Sequence, residues 1–282
     1  MPWTNESSND LRQYQLYLLE ILDAFISVCQ SQNLRYYLNA GTLLGAVRHQ
    51  GFIPWDDDID VCMPRTDYEQ FLSCSAKMLP SHLRAVWFRN QKKEEHLQYY
   101  CQIQNLKVPI IQYIADLPHE TYAWIDVFPL DGMPTSSFSR KSHGLYLLYR
   151  RARVQLSMFE KNVNIYKKNR PWYEKAIIFL YRITGFGRNS DTYYMMEKLD
   201  FALKCYPENT SSFWINFMGA YKLRETVPAD VYGTGIPCIF ENRKLMIPQN
   251  PDYILTQLYG NYMVPIKPLG VDSHRIVYRE IS

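Results

Sequence analysis

"GTLLGAVRHQGFIPWDDDIDVCMPR", Gly41 to Arg65, is the stretch whose reading decides the fold. Asp56, Asp57, Asp58 and Asp60 crowd together and run directly into an apolar segment, Ile59 to Met63. An acidic cluster ordinarily belongs to a solvated turn. Here "DDIDVCM" alternates as a strand does, and Pro64 ends it. With Ile59 and Val61 pointing into a core, Asp58 and Asp60 share the opposite face and Asp56 joins them at the strand's edge. Carboxylates aimed together repel unless a cation compensates. Mg2+ (or Mn2+), a hard ion that takes carboxylate oxygens and binds substrate phosphates, is the natural compensator. Asp57 falls on the alternate face and reads as structural. A bare Asp-x-Asp is more often an exposed turn than a site, so the surroundings must decide.

Upstream, "NAGTLLGAVRH" sets Gly41 and Thr42 at a strand-to-helix junction, with Thr42 as the expected N-cap. Backbone N–H groups at a helix start, unhindered at Gly41, form a phosphate cradle, to which Arg48 or His49 would add charge-assisted contacts. Downstream, Asp126 in "WIDVFPLDG" lies between Ile125 and Val127 in an apolar strand. An acid there is costly to bury unless paired or metal-bound, which makes Asp126 a third candidate carboxylate. Asp131, in "LDG", reads as a turn residue. Two carboxylates on one strand and a third on a neighbour are the layout of a nucleotidyltransferase palm.

Working outward, Leu11, Tyr14, Leu18, Ile21, Leu22, Phe25, Ile26 and Cys29 form one helical stripe. "LRYYLNA" reads as a strand and "TLLGAVRH" as a short helix. Thr66 is the expected cap of a helix with Tyr68, Phe71, Leu72 and Leu79 on its apolar face. "RAVWF", "LQYYCQIQ", "PIIQYIA" and "YAWIDVFPL" read as strands, followed by helices over 138–166, 172–184 and 192–205. Short strands near "SFWINF" and "IPCIF" and a helix over 253–259 complete the pattern. Strands first and helices later argue for an α+β fold with a helical subdomain packed on the sheet.

Composition agrees with a folded globular protein: 282 residues, 47% hydrophobic, 21% charged and 15% aromatic. The six cysteines show neither a CxxC pair nor zinc spacing, and the polar beginning of the chain carries no apolar signal core. These features predict a cytoplasmic protein with reduced thiols. Net charge is +3, but residues 140–188 hold twelve Lys or Arg against two acids, a local +10 that leaves −7 for the rest. The basic block interleaves Lys and Arg with Tyr, Trp and aliphatic residues, a pattern suited to peripheral contact with the anionic inner face of a membrane. Nothing resembles a nucleic-acid-binding module, so no nucleic-acid partner is expected.

The Gly41–Arg65 stretch, "WIDVFPLDG" and "LTQLYGNYMVP" together resemble the LicD family of phosphotransferases, related to fukutin and fukutin-related proteins, over most of the chain. The resemblance implies a nucleotidyltransferase-like (polymerase-β-type) mixed sheet with flanking helices, within one catalytic domain over 1–282. Its parts would be an N-terminal helix (1–33), a nucleotidyltransferase core (34–134), the basic helical subdomain (135–210) and a mixed segment (211–282). It also implies transfer of a phospho-alcohol, most often phosphocholine from CDP-choline, to a sugar hydroxyl of a cell-surface glycan precursor that is lipid-linked. Asp58 and Asp60 would bind metal with Asp56 as helper, and Asp126 would be the base. Gly41, Thr42, Arg48 and His49 would face the nucleotide phosphates, and Trp55, Tyr259 and Tyr262 the substrate. A choline group needs an aromatic cage, for which Tyr99, Tyr100, Tyr122 and Trp124 are further candidates. Two departures stand out: "YGNYM" has Asn261 where the family commonly has an acid, and the zinc-binding cysteines of the fukutin-related branch are absent.

Overall fold

The computed structural model describes residues 8–91, 98–114, 117–159, 172–185, 190–265 and 276–278. Helix α1 (Ser8–Ser31) buries Tyr14, Leu18, Ile21, Leu22, Phe25 and Cys29, the stripe expected from the spacing of its apolar residues. Strand β1 (Tyr37–Leu38) then pairs antiparallel with β2 (Asp60–Pro64), and α2 (Ala40–His49) lies between them in the chain. The chain turns from β1 into α2 through Ala40, whose left-handed φ of 46° costs a residue with a Cβ about 1 kcal/mol.

Helix α3 (Arg65–Met78) follows β2 without a loop. Pro64 ends the strand as expected and itself holds the N-cap position. Thr66, expected there, lies inside the first turn, and its N–H and hydroxyl both donate to Glu208.

Strands β4 (Cys101–Ile114) and β5 (Leu117–Met133) build the centre of the sheet, and the short β3 (Leu83–Val86) lies at its edge. The two strands expected over 97–104 and 109–115 are one strand, with a bulge between Asn105 and Pro109. A bulge leaves residues outside the ladder, which is where a proline is tolerated. The sheet runs β1-β2-β5-β4-β10, with β10 spanning Ile276–Tyr278. Strand β3 also pairs with β4, and β5 continues onto β6 (Phe213–Ile215), which pairs with β7 (Thr226–Pro228). Only β2 and β5 run parallel among the described pairs, so the sheet is mixed and the fold α+β.

Asp131 is not in a turn. It lies within β5 opposite Ile215, with Arg65 Nε and Nη2 bound to its two oxygens at 2.7 and 2.9 Å. The glycine of "LDG" serves a close approach instead: a Cβ on Gly132 would meet the Tyr206 carbonyl oxygen at 2.3 Å.

The helical block comprises α4 (Ser137–Ser157), α5 (Trp172–Thr184) and α6 (Thr192–Leu203). The expected extension of the first helix through 166 falls largely outside the described residues. Helices α4 and α6 join through Leu147, Val154, Met196 and Leu199 in a second core with Phe88, Ile215 and Phe217 of the sheet side. Asp200 of α6 accepts from Tyr99 Oη and ion-pairs with Arg65, Arg89 and Lys204, which ties the block to the sheet through a buried charge network. Helix α7 (Ala229–Tyr232), the hairpin β8 (Ile236–Phe240) and β9 (Arg243–Ile247), and α8 (Pro251–Tyr259) complete the chain. The hairpin turns on Glu241 and Asn242, both left-handed, as a two-residue turn between twisted strands requires.

Candidate active site

The parallel pairing of β2 with β5 sets Asp60 directly beside Asp126 in register. Neighbours in register share a face, so both carboxylates leave the sheet on the same side, while Ile59, Val61, Ile125 and Val127 are fully buried on the other. Strand β4 adds Gln102, in register with Asp126, and its Nε2 donates to Asp126 Oδ1 at 3.0 Å. The carboxylate of Asp126 is thereby oriented. Burial holds the Asp60 carboxyl well above the ordinary carboxylate range, and the negative charges of Asp58, Asp126, Asp56 and Glu225 raise it further.

The start of α2 is pinned to the same strand. The Asn39 N–H donates to the Asp60 carbonyl at 3.0 Å, and the Asp60 N–H donates to Thr42 Oγ1 at 2.9 Å. Asn39, not Thr42, occupies the N-cap position; the Thr42 hydroxyl is spent on β2, which fixes Asp60 relative to the helix. A Cβ on Gly41 would lie 3.1 Å from Asp56 Oδ2, so the Asp56 carboxylate rests against the helix's N-terminal end, where negative charge is favoured. Gln15 of α1 holds that segment by donating to the Asp56 carbonyl at 2.9 Å.

Four further groups complete the site, and three of them lie outside every sequence motif. Glu225, at the end of a short 3-10 turn, is buried and pushed up to about 7 by that burial; the backbone N–H of Tyr221, the charge of Arg151 and the Asn216 side chain pull the other way. Tyr100 packs against Phe128 with ring centroids 4.2 Å apart and planes tilted by 40°. Burial raises its hydroxyl, as do the charges of Asp126 and Asp60, while Arg151 opposes them. Arg151 reaches in from α4, donates to the Phe217 carbonyl at 2.8 Å, and is lowered by burial against the pull of Tyr100 and Glu225. Tyr259, at the end of α8 and within the expected set, is raised by burial first, then by Tyr221, Asp60, Glu225 and Asp56.

Other expected residues lie elsewhere. Arg48 and His49 occupy the last turn of α2, about 10 Å along its axis from Gly41, and so do not face the same anion. Arg48 instead donates to the Tyr262 carbonyl at 2.6 Å and locks the "YGNYM" loop onto the helix. The hydroxyl of Tyr262 donates to Asp252, Asn261 is exposed, and Trp55 is half-buried against the main core. Of the cage candidates, Tyr99 belongs to the Arg65–Asp200 network, Trp124 is in the core, and Tyr122 lines a cavity with Pro109 and Glu120. Tyr100 and Tyr259 are the rings that share the carboxylates' electrostatic surroundings.

Among the described residues, no three His, Cys, Asp or Glu stand close enough to enclose a metal ion unaided. The donors at hand are nevertheless hard carboxylate oxygens whose mutual repulsion a dication would relieve. That set fits Mg2+, which keeps waters and takes phosphate oxygens in preference to a closed protein cage.

Residues 33–140 match the LicD/FKTN/FKRP nucleotidyltransferase domain, a span that holds all four candidate aspartates. The chain is 28% identical over 271 residues to the lipopolysaccharide cholinephosphotransferase LicD of Haemophilus influenzae, covering 90% of this chain and 91% of that protein. It is also 30% identical over 88 residues to the human ribitol 5-phosphate transferase FKRP, covering 30% of this chain and 18% of that protein. Residues 33–140 are thus similar to the nucleotidyltransferase domain of LicD, FKTN and FKRP, in a chain that resembles the bacterial LicD protein along most of its length.

Proposed function

We propose that the protein is a phospho-alcohol transferase that moves phosphocholine from CDP-choline to a sugar hydroxyl of a cell-surface glycan precursor, of teichoic acid or lipopolysaccharide type, releasing CMP. The observation that carries this reading is the in-register pair Asp60 and Asp126 beside the start of α2, inside the matched domain. The similarity to a cholinephosphotransferase over nine-tenths of the chain supports the choice of alcohol.

In this reading the acceptor oxygen attacks the β-phosphorus, the bond to the bridging oxygen breaks, and CMP carries that oxygen away. Asp58 and Asp60, with Asp56 beside them, would hold Mg2+. The bound ion supplies charge neutralisation at the diphosphate and the leaving CMP. Asp126, oriented by Gln102, takes the acceptor proton. The start of α2 orients the donor's phosphates with backbone N–H groups around Gly41. Asp56 rests at that same helix start, so it would sit beside the donor's phosphates and would help hold the cation there. Tyr259 and Tyr100 offer ring faces to the quaternary ammonium. Chemistry of this kind consists mostly of positioning and charge neutralisation, which suits a site of fixed carboxylates without a strong nucleophile.

A second reading, transfer of another CDP-linked alcohol such as ribitol or glycerol, is favoured by the similarity to the ribitol 5-phosphate transferase. Thermal shift with CDP-choline, CDP-ribitol, CDP-glycerol, CTP and ATP, each with and without Mg2+, separates the two. The true donor stabilises most, because stabilisation rises with ligand concentration relative to Kd. No Mg2+-dependent shift with any CDP-alcohol would count against both readings.

A further inference from the structure

We propose that the outer face of α4 docks the protein onto an anionic lipid bilayer. Phe138, Leu145 and Tyr149 follow one another at seven and four residues along this helix, so they form one stripe, and they are 84%, 67% and 51% exposed. Leu147 and Val154, on the opposite side, are buried in the second core. The helix therefore already has its packing face, and the stripe is additional. From Ser137 to Ser157 there is no acidic residue, but there are Arg140, Lys141, Arg150, Arg151 and Arg153.

Three of them, Lys141, Arg150 and Arg153, flank the stripe by helical spacing, in the manner of side chains that straddle an apolar layer and water, whereas Arg140 lies over the Phe213 ring and Arg151 donates to the Phe217 carbonyl. Arg150 lies over the Tyr146 ring at 4.9 Å and the Tyr149 ring at 5.8 Å, and donates to Tyr146 Oη. Arg153 donates to Tyr149 Oη at 3.1 Å. Aromatic rings with wet polar tips, basic heads and an aliphatic centre match the level of lipid headgroups. Helix α5 repeats the pattern with exposed Phe179, Ile183 and Lys175, and it joins the end of α4 where Tyr181 meets Phe159 at 4.2 Å. No described helix is long and apolar enough to cross a membrane, so the contact is one of lying on the surface. A second copy of this chain is the poorer occupant, because a symmetric contact would bring two basic faces together. Anionic phospholipid headgroups carry the complementary charge.

This inference is independent of the transferase reading, since the stripe shares no residue with the carboxylate site. Arg151, which does approach that site, points from the other side of α4. Co-sedimentation of the full chain with phosphatidylcholine vesicles, with and without phosphatidylglycerol, tests it. Each basic residue at the surface contributes about fivefold in affinity, so the anionic vesicles should bind at least about tenfold more strongly and lose that advantage in high salt. The double substitution Leu145→Glu, Tyr149→Glu should abolish binding while leaving the melting temperature and the nucleotide-induced thermal shift unchanged. Equal binding to neutral vesicles, no binding to anionic ones, or undiminished binding by the double variant would overturn the proposal. A dimer that Leu145→Glu dissociates would overturn it too, by assigning the stripe to self-contact.

Discussion

Asp60 and Asp126 stand in register on adjacent parallel strands, with backbones about 4.8 Å apart in the direction of the ladder. Two carboxylates so fixed on one face of a sheet are a standing electrostatic cost to the fold. A cation bound between them would relieve that cost.

Replacing one of the pair should therefore stabilise the metal-free protein. Asp60→Asn is expected to raise stability on the order of 1 kcal/mol or more without divalent cations, and to remove the stabilisation that Mg2+ confers. Thermal melts of both proteins in chelator and in Mg2+ check this. A destabilised variant that still responds to Mg2+ would contradict it.

The raised Asp60 carboxyl also fixes the sign of a pH effect. A metal ligand must be deprotonated, so metal affinity falls as pH drops toward the elevated pKa. Titrations of Mg2+ followed by melting temperature should show weaker binding at pH 6 than at pH 8. An affinity independent of pH would place the ion elsewhere.

Glu225 predicts a pH dependence of the fold itself. Its folded pKa of about 7 exceeds the ordinary value of 4.5, so the folded state holds more protons between those limits. Stability must then fall as pH rises through that window, by about 3 kcal/mol at most from this group. Glu225→Gln, which can still accept from the Tyr221 N–H, should flatten the slope and gain relative to the parent protein at pH 8. Urea denaturation at pH 5 and pH 8 measures the difference.

Arg65 holds the sheet and the helical block together. Arg65→Met would leave Asp131, buried in β5, without its bidentate partner, and should cost about 3–5 kcal/mol. Adding Asp131→Leu should recover part of that loss, because Asp200 retains Arg89 and Lys204. A double variant no better than the single would show that the packing of Arg65, rather than its charge, is what matters.

The legible part of this site was the part written in local pattern. Alternation across Ile59–Met63 sets Asp60 on the face opposite Val61, and an acid between Ile125 and Val127 announces Asp126; Asp58, expected on the same strand as Asp60, lies before its start. The register joining them depends on a parallel pairing between strands far apart in sequence, which local pattern does not encode. Thr42 and Thr66 were misread as caps for a common reason: each hydroxyl bonds across the fold, to Asp60 and to Glu208, and not along its own helix. Asp131 was misread because Asp-Gly is a turn signal, whereas Gly132 is there for the close approach of Tyr206. Glu225 and Arg151 had no signal at all. One ends a short 3-10 turn and the other faces inward from a helix whose sequence reads as a basic surface, so only the tertiary fold brings them to Asp60 and Tyr100.

The most direct test of the central claim is CMP release. Purified protein is incubated with CDP-choline, Mg2+ and a panel of glycolipid precursors, and both CMP and the modified glycan are followed by mass spectrometry. The account predicts stoichiometric CMP and phosphocholine-bearing glycan from one acceptor class, and neither product from the folded Asp58→Asn, Asp60→Asn double variant. Undiminished transfer by that variant would contradict it.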